Sequence, residues 1–215
     1  MIEHDVKAFF SSYAEDFDSI YGDGKKRHII SRTIDKIYRK SMFNRYLNTL
    51  GFIKNNEIKS VLDIGCGSGV YLQQIGKLNA KITGIDLSDD MIKLSKKRLI
   101  KDNINYENLI VDSYLNYNFQ EKFDLSILMG FFDYVEDPFQ TIKKVLKDTN
   151  KFILGSFPKK QGFLYYQRKI RYNLKNCPIF FYKKNDIIEL LQNLDLNNYI
   201  IDDNDREYFV KIYLW

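Results

Sequence analysis

Hydrophobic residues recur along this chain at helical spacing in some segments and in short continuous runs in others. Near the N-terminus the helical spacing predicts helices over residues 4–22 and 26–50, separated by the turn YGDG at 21–24. From residue 60 onward, apolar runs of strand length alternate with helix-like segments. The runs predict strands over residues 60–64, 81–85, 107–111, 123–128 and 151–156. Helices are predicted between them, over residues 68–78 and 88–101 and from Asp137-Pro138 onward.

The alternation stops after the fifth strand, where residues 158–184 are basic and aromatic. Apolar positions in this segment recur at helical spacing, which predicts an inserted helix followed by a loop. A helix capped by Asn185 and running to Leu194 is expected next. Residues 198–201 and 208–214 then predict a closing antiparallel pair of strands.

Strands that alternate with helices predict an α/β fold with a largely parallel sheet. The predicted fold is a doubly wound, mainly parallel seven-stranded sheet with an antiparallel C-terminal strand, an N-terminal helical lid and a helical insertion after strand 5. We expect a single domain over residues 1–215. Its expected parts are the lid at 1–57, the core at 58–156, the basic aromatic insertion at 157–184 and the C-terminal helix and strand pair at 185–215.

Charge is distributed unevenly, although the formal net charge is only +5. Residues 25–54 hold nine basic residues and one acid, and residues 157–185 hold eight basic residues and no acid. These stretches are either solvated helix faces or two surfaces that grip an anionic ligand. Two cysteines form no disulfide framework and, with two histidines, no zinc spacing, so no metal site is expected. The N-terminus lacks the layout of a signal peptide and no apolar run could span a membrane, so we expect a cytoplasmic protein.

Three alternating glycines in VLDIGCGSG, at positions 65, 67 and 69, follow the first predicted strand. A tight turn alone needs fewer glycines. A ligand that approaches the backbone at a helix N-terminus needs a loop without side chains in its way. The third glycine comes one residue too early for the G-x-G-x-x-G pattern of dinucleotide-binding proteins. A P-loop is excluded because no Gly-Lys-Ser/Thr follows.

Acidic residues end the next two predicted strands. Asp86, in GIDLS, could accept hydrogen bonds from both hydroxyls of an unmodified ribose, since Ser88 is the better helix cap. Asp112, in VDSY, could accept from an adenine amino group or be an ordinary turn residue. The fourth strand continues into an aromatic loop, FDLSILMGFFDYVEDP, whose rings either border a ligand or belong to the core.

In this order, the four elements resemble those of class I S-adenosylmethionine-dependent methyltransferases, which have a seven-stranded Rossmann-like fold. The resemblance covers residues 58–156 strongly and the last strands by layout only. It implies S-adenosylmethionine as the cofactor and S-adenosylhomocysteine as the product. It also implies cofactor-binding roles for Asp63, Gly65, Gly67, Asp86, Leu87, Asp112, Ser113 and Met129.

The segment SSYAEDFDSIYG is similar to a YxxxxFDxxY segment that closes over the cofactor in many small-molecule methyltransferases. The similarity makes Tyr13 and Tyr21 candidates for a lid over the cofactor. A hydroxyl acceptor would also need a base, for which Asp133 and His28 are the candidates and Glu136 a third choice. Predicted contacts to the acceptor come from the aromatic loop and the basic insertion: Phe132, Tyr134, Lys160, Tyr166, Arg168 and Arg171.

The favoured function is O-methylation of a small, anionic acceptor such as a metabolite, a nucleotide-linked sugar or a surface-glycan intermediate. Methylation of nucleic acid is an alternative, because Tyr165, Tyr166 and Tyr172 could stack on bases beside basic residues. Against it, the fourth strand lacks the N/D-P-P-Y/F tetrad found where exocyclic amines are methylated. A binding protein that retains the cofactor pocket without catalysis is a further alternative, and a dehydrogenase is a remote one.

Overall fold

A seven-stranded sheet organises the computed structural model, which describes residues 3–11, 31–174 and 177–215. The strand order is β3-β2-β1-β4-β5-β7-β6. Strands β1 to β5 are parallel, whereas β7 runs antiparallel to both of its neighbours. The strands are β1 Ser60–Ile64, β2 Lys81–Asp86, β3 Asn108–Val111, β4 Phe123–Leu128, β5 Thr149–Pro158, β6 Tyr199–Asp203 and β7 Glu207–Tyr213. This topology confirms the predicted fold class.

Helices cover both faces of the sheet. They are α1 (residues 3–11), α2 Ser31–Lys54, α3 Val70–Gly76, α4 Asp89–Lys101, α5 Phe139–Asp148, α6 Phe163–Asn173 and α7 Lys184–Gln192. A short 3₁₀ helix, Phe132–Tyr134, follows β4. Among the described residues, no helix is long and apolar enough to cross a membrane.

Helix α4 begins as the sequence predicts. Ser88 is its N-cap and accepts a hydrogen bond from the Met91 N–H at 3.3 Å, while Asp89 and Asp90 lie in its first turn. Acids there interact favourably with the positive end of the helix dipole. The cap therefore leaves Asp86 available for another role.

Several element boundaries differ from the predicted ones, three of them for an evident structural reason. Helix α2 continues past residue 50 because Phe52 packs edge-on against Phe152 of β5 at 5.0 Å. Strand β5 continues to Pro158 because it pairs with β7 over that length. The prediction of Asn185 as a cap is wrong: the N-cap of α7 is Lys183, two residues earlier, and the Asp186 carboxylate accepts from the Lys183 N–H at 2.8 Å.

Two hydrophobic cores, one on each face of the sheet, fix the positions of the strand ends. Along β1, Val61 belongs to one core and Leu62 to the other, and both are fully buried. Strand order reverses between β1 and β4, which is the place where open α/β sheets bind ligands. The sites predicted from sequence therefore converge at this edge of the sheet.

Candidate functional site

A cavity of about 550 Å³ lies across the carboxyl ends of β1, β2, β3 and β4. This is within the usual size range of small-molecule sites. We call one part the cofactor end, lined by Asp63, Gly65, Gly67, Asp86, Leu87, Asp112, Ser113 and Met129. We call the other part the acceptor end, lined by Arg45, Asp133, Tyr134, Arg168, Arg171, Tyr172, Arg206 and Glu207.

The glycine loop after β1 has a backbone that other residues rarely adopt. Gly65, Gly67 and Gly69 have φ angles of 71°, 52° and 75°, in the left-handed region that favours glycine. A Cβ on Gly65 would come within 2.8 Å of the Phe131 ring, and one on Gly69 within 2.3 Å of Ser95 Oγ. The loop therefore keeps bare backbone against the cavity at Gly65 and Gly67, while Gly69 lets it pack closely on α4.

The Asp86 carboxylate joins the glycine loop to the start of α4. Its Oδ2 accepts from the Gly67 N–H and its Oδ1 from the Ser88 N–H, both at 2.9 Å. Burial raises the pKa of Asp86, and these two hydrogen bonds oppose the rise. A carboxylate oxygen can accept more than one hydrogen bond, so a carboxylate fixed in this way can also receive ribose hydroxyls.

Asp63 is a buried acid whose hydrogen-bonding capacity is only partly used. Its side chain is 2% exposed, and its Oδ2 has no hydrogen-bond partner among the described residues. Burial, and then the neighbouring Asp86 carboxylate, raise the pKa of Asp63 to about 8. A cationic ligand group beside Asp63 would both supply the missing partner and favour the ionised form. The α-amino group of S-adenosylmethionine has this chemistry, so the cofactor end fits that group.

Helix α1 forms one wall of the cavity. Ser113 Oγ donates to Glu3 Oε1 at 2.7 Å, and Ser11 Oγ lies 3.3 Å from Ser88 Oγ. Phe10 extends this wall to the acceptor end, where its ring meets that of Tyr134 at 5.1 Å. The described part of the N-terminal region therefore lies against the cavity, and its role as a lid stays a prediction. Tyr13, Tyr21 and His28 lie outside the described residues.

Buried ion pairs build the acceptor end. Arg45 Nη1 donates to Glu207 Oε2 at 2.9 Å and to Ser156 Oγ at 3.2 Å, and Arg45 Nε donates to the Tyr71 hydroxyl at 3.2 Å. Ser156 Oγ also accepts from the Gly130 N–H at 2.8 Å.

A second ion pair joins the 3₁₀ helix to the insertion. Arg168 Nη2 of α6 lies 2.8 Å from Asp133 Oδ2, and the two side chains are 12% and 11% exposed. The acceptor end thus contains two ion pairs that are largely shielded from water.

This chain is similar to known methyltransferases in sequence and in fold. A family model described as a methyltransferase domain matches residues 61–149. The chain is 30% identical over 144 residues to the malonyl-acyl-carrier-protein O-methyltransferase of Priestia megaterium, covering 66% of this chain and 46% of that protein. It is 27% identical over 142 residues to the ubiquinone biosynthesis O-methyltransferase of Coxiella burnetii, covering 66% of this chain and 56% of that protein. The chain spans about half the length of these curated relatives.

Solved structures extend the likeness to nearly the whole chain. Magnesium protoporphyrin IX methyltransferase from Synechocystis PCC 6803, with bound S-adenosylhomocysteine, superposes with a TM-score of 0.75 at 17% identity and covers 99% of each chain. The family match and the shared fold agree with the site geometry. Residues 61–149 match the methyltransferase-domain family, and the chain has the fold of a methyltransferase solved with bound S-adenosylhomocysteine.

Most cofactor residues predicted from the sequence meet in the cavity, but some predicted acceptor residues do not. The Phe132 ring is fully buried in the core, stacked on Phe157 with 4.0 Å between ring centroids, and Phe131 lines the cavity instead. Lys160 and Tyr166 also lie outside the cavity lining, and Tyr166 is 63% exposed. Only one face of α6 turns inward, and it carries Arg168, Arg171 and Tyr172.

Sequence reasoning missed three charged residues at the acceptor end: Arg45, Arg206 and Glu207. Arg206 directly precedes β7, and Glu207 is its first residue. Because β7 runs antiparallel to β5, its amino end lies at the edge of the sheet where the parallel strands have their carboxyl ends. A search of strand carboxyl ends alone passes over them. Arg45 carries a weak signal, since Met42, Arg45 and Thr49 share a helical spacing that places a cation on an otherwise apolar face.

Proposed function

We propose that this chain transfers the methyl group of S-adenosylmethionine to an oxygen atom of a small anionic acceptor. The observation that carries the proposal is a single cavity with two chemically different ends. One end offers carboxylates and bare backbone, and the other offers arginines. The names of the relatives, both O-methyltransferases, favour oxygen as the accepting atom.

At the cofactor end each residue has a separate proposed task. Asp63 pairs with the amino group of the cofactor, and the Met129 carbonyl accepts from the same group. Gly65 and Gly67 let the backbone approach the methionine part, and Asp86 binds the ribose hydroxyls. Leu87 packs on the adenine ring, while Asp112 and Ser113 hold its edge; Tyr13 and Tyr21 close over the cofactor.

At the acceptor end the arginines supply affinity for an anion. Asp133 and Glu207 balance part of the charge of Arg168 and Arg45. Arg171 and Arg206 add positive charge to the same lining. An anionic acceptor drawn to these groups would be held beside the methyl donor, and such positioning can contribute up to about 7–11 kcal/mol to catalysis.

Methylation of nucleic acid receives less support. Tyr172 packs against Phe9 at 5.8 Å and lies near Tyr134, while Tyr165 packs against Phe181 at 4.7 Å. Of the three tyrosines considered for stacking on bases, only Tyr166 is well exposed. Stacking platforms for single strands need several exposed rings in succession.

Two measurements test the proposal. Calorimetric titration should give binding of S-adenosylmethionine and S-adenosylhomocysteine, and none of NAD. Transfer of a radiolabelled methyl group to 3,4-dihydroxybenzoate and to adipate then tests the acceptor class. Arg171→Gln should raise the KM for these acids about tenfold, the value of one ion pair of roughly 1.4 kcal/mol.

The matched control is Lys169→Gln, which changes an exposed cation on the same helix. It should leave the KM unchanged. Absence of S-adenosylhomocysteine binding would reject the cofactor. An unchanged KM in Arg171→Gln, or equal effects of the two variants, would reject recognition of an anion by α6.

A further inference from the structure

Glu207 is a buried acid at the edge of the sheet where the cavity lies. It begins β7 and pairs with Pro158, the last residue of β5, because β7 runs antiparallel. The residue is 9% exposed and lines the acceptor end. The sequence did not suggest Glu207 as a base.

The two oxygens of this carboxylate are used differently. Oε2 accepts the hydrogen bond from Arg45, which fixes the plane of the carboxylate. Oε1 is buried and has no hydrogen-bond partner among the described residues. A buried acceptor without a partner costs about 1–3 kcal/mol. A hydroxyl group delivered by a ligand would remove that cost.

The Arg45 network ties Glu207 to the cofactor end. Ser156 Oγ accepts from both Arg45 and the Gly130 N–H. Gly130 directly follows Met129, whose carbonyl is proposed to face the amino group of the cofactor. Arg45 Nη2 and Asp133 Oδ2 lie 3.5 and 3.7 Å from the position that a Cβ on Gly130 would occupy. Arg45 and Asp133 therefore flank the junction between the two ends of the cavity, and Glu207 is held beside it by its hydrogen bond from Arg45.

We infer that Glu207 is the group that takes the proton from a hydroxyl acceptor, and that Arg45 positions its carboxylate for this step. The inference rests on the proposed function. The acceptor O–H bond breaks and its proton passes to Oε1, as the acceptor oxygen bonds to the methyl carbon. The bond from that carbon to sulfur breaks with its electron pair kept by sulfur, so the products are a methyl ether and S-adenosylhomocysteine. Glu207, now neutral, returns its proton to water when the site opens.

Burial and charged groups on four segments of the chain set the pKa of Glu207. Burial raises its pKa most, and Asp133 of the 3₁₀ helix raises it further. Arg45 of α2, Arg168 of α6 and the adjacent Arg206 lower it, so the net direction is upward. A carboxylate must be ionised to act as a base. Methylation of a hydroxyl should therefore decline on acidification at a pH above the ordinary range for Glu.

The experiment compares two probes that differ in their need for a base. The catechol hydroxyl of 3,4-dihydroxybenzoate must lose a proton, whereas the carboxylates of adipate are already ionised at neutral pH. Glu207→Gln should lower kcat on the catechol about 100-fold or more, the usual contribution of a general base. The same variant should lower kcat on adipate by a much smaller factor and flatten the acidic limb of the pH profile on the catechol.

Controls separate chemistry from folding. Glu189→Gln changes an exposed glutamate of α7 outside the cavity and should behave as wild type. Glu207→Gln should bind S-adenosylhomocysteine with unchanged affinity, and Glu207→Asp should restore part of the rate and the pH dependence. Should Glu207→Gln fail to fold, the contrast between the two probes is measured with Glu207→Asp, which should be slowed on the catechol only.

Each outcome has a definite meaning. Equal kcat of wild type and Glu207→Gln on the catechol overturns the inference and leaves the proposed function standing. An equal loss on both probes assigns Glu207 a structural role and also overturns the inference. Loss on the catechol in Asp133→Asn, with Glu207→Gln active, transfers the role to Asp133. If wild type methylates neither acid, the proposed function itself fails.

Discussion

The two ends of the cavity are built in different ways. At the cofactor end, Asp86 bonds to backbone N–H groups 2 and 19 positions away in the chain. At the acceptor end, Arg45 bonds to side chains 111 and 162 positions away. The first end is assembled from consecutive strand–loop units, and the second from side chains of four separate segments.

Because of this difference, we expect the cofactor end to contribute mainly to ligand binding and the acceptor end also to stability. Backbone groups at the cofactor end are held by the sheet itself, so substitutions there should reduce ligand binding more than folding. Buried ion pairs at the acceptor end have no such support, and removing one member leaves the other charge unpaired. Substitutions there should reduce stability while leaving cofactor affinity intact.

The largest effect on stability is expected from Arg168→Gln. It leaves the Asp133 carboxylate buried without its cation, and breaking such a pair costs about 3 kcal/mol. Chemical denaturation of the purified protein measures this free energy of unfolding. The double variant Arg168→Gln/Asp133→Asn should recover part of the loss, and affinity for S-adenosylhomocysteine should change less than about twofold. An unchanged denaturation midpoint in the single variant would contradict the distinction between the ends.

The largest effect on binding is expected from Asp86→Ala. Two hydrogen bonds from a carboxylate to ribose, each of roughly 1.5–3 kcal/mol, correspond to a loss of affinity of about 100-fold or more for S-adenosylhomocysteine. Calorimetry measures this loss directly. Asp89→Ala, three positions along the chain, changes an acid whose salt bridge to Lys93 is exposed, and should bind as wild type. Equal affinity of Asp86→Ala and wild type would place the ribose elsewhere.

A pH dependence is expected from Asp63. With its pKa raised to about 8, free Asp63 is mostly protonated at pH 7. Binding of a cationic amino group should release that proton, so affinity for S-adenosylhomocysteine should rise between pH 6 and 7.5, by at most about tenfold per pH unit. Without ligand the sign is opposite: the folded state holds a proton that the unfolded state has lost, so this group lowers stability as pH rises from its ordinary pKa toward 8.

Titrations in two buffers of different ionisation enthalpy count the released protons. Wild type should release a fraction of a proton on binding at pH 7, and Asp63→Asn should release none. Proton release that persists in Asp63→Asn would assign the effect to another group.

The smallest effects are expected from Lys160→Gln and Tyr166→Ala, which alter side chains outside the cavity lining. Surface substitutions of this kind change free energies by about 0.5 kcal/mol or less, so the acceptor KM should change about twofold at most. Steady-state kinetics measures the acceptor KM of both variants, with Arg171→Gln as the variant that should change it. A tenfold rise in KM for Tyr166→Ala would extend the acceptor end along the exposed face of α6.

Sequence patterns predicted the parallel part of the sheet and the cofactor end because both are local along the chain. A strand, its glycine turn and the following helix occupy consecutive residues, and Asp86 follows one strand directly. The Ser88 cap was predictable for the same reason. The cap of α7 was not predicted, because the helix begins two residues before the position expected from Asn185 and the Asp186 carboxylate accepts from the N–H of its N-cap, Lys183.

By itself, the sequence determined the fold class, the order of strands along the chain and the acids at the ends of β1, β2 and β3. Only the tertiary structure decided that Phe131 rather than Phe132 faces the cavity, that Arg168 pairs with Asp133, and that Glu207 meets Arg45. The physical reason is the range of the interactions involved. Hydrogen bonding and periodicity act between near neighbours, whereas ion pairs between distant segments depend on strand direction and on which helix face packs inward.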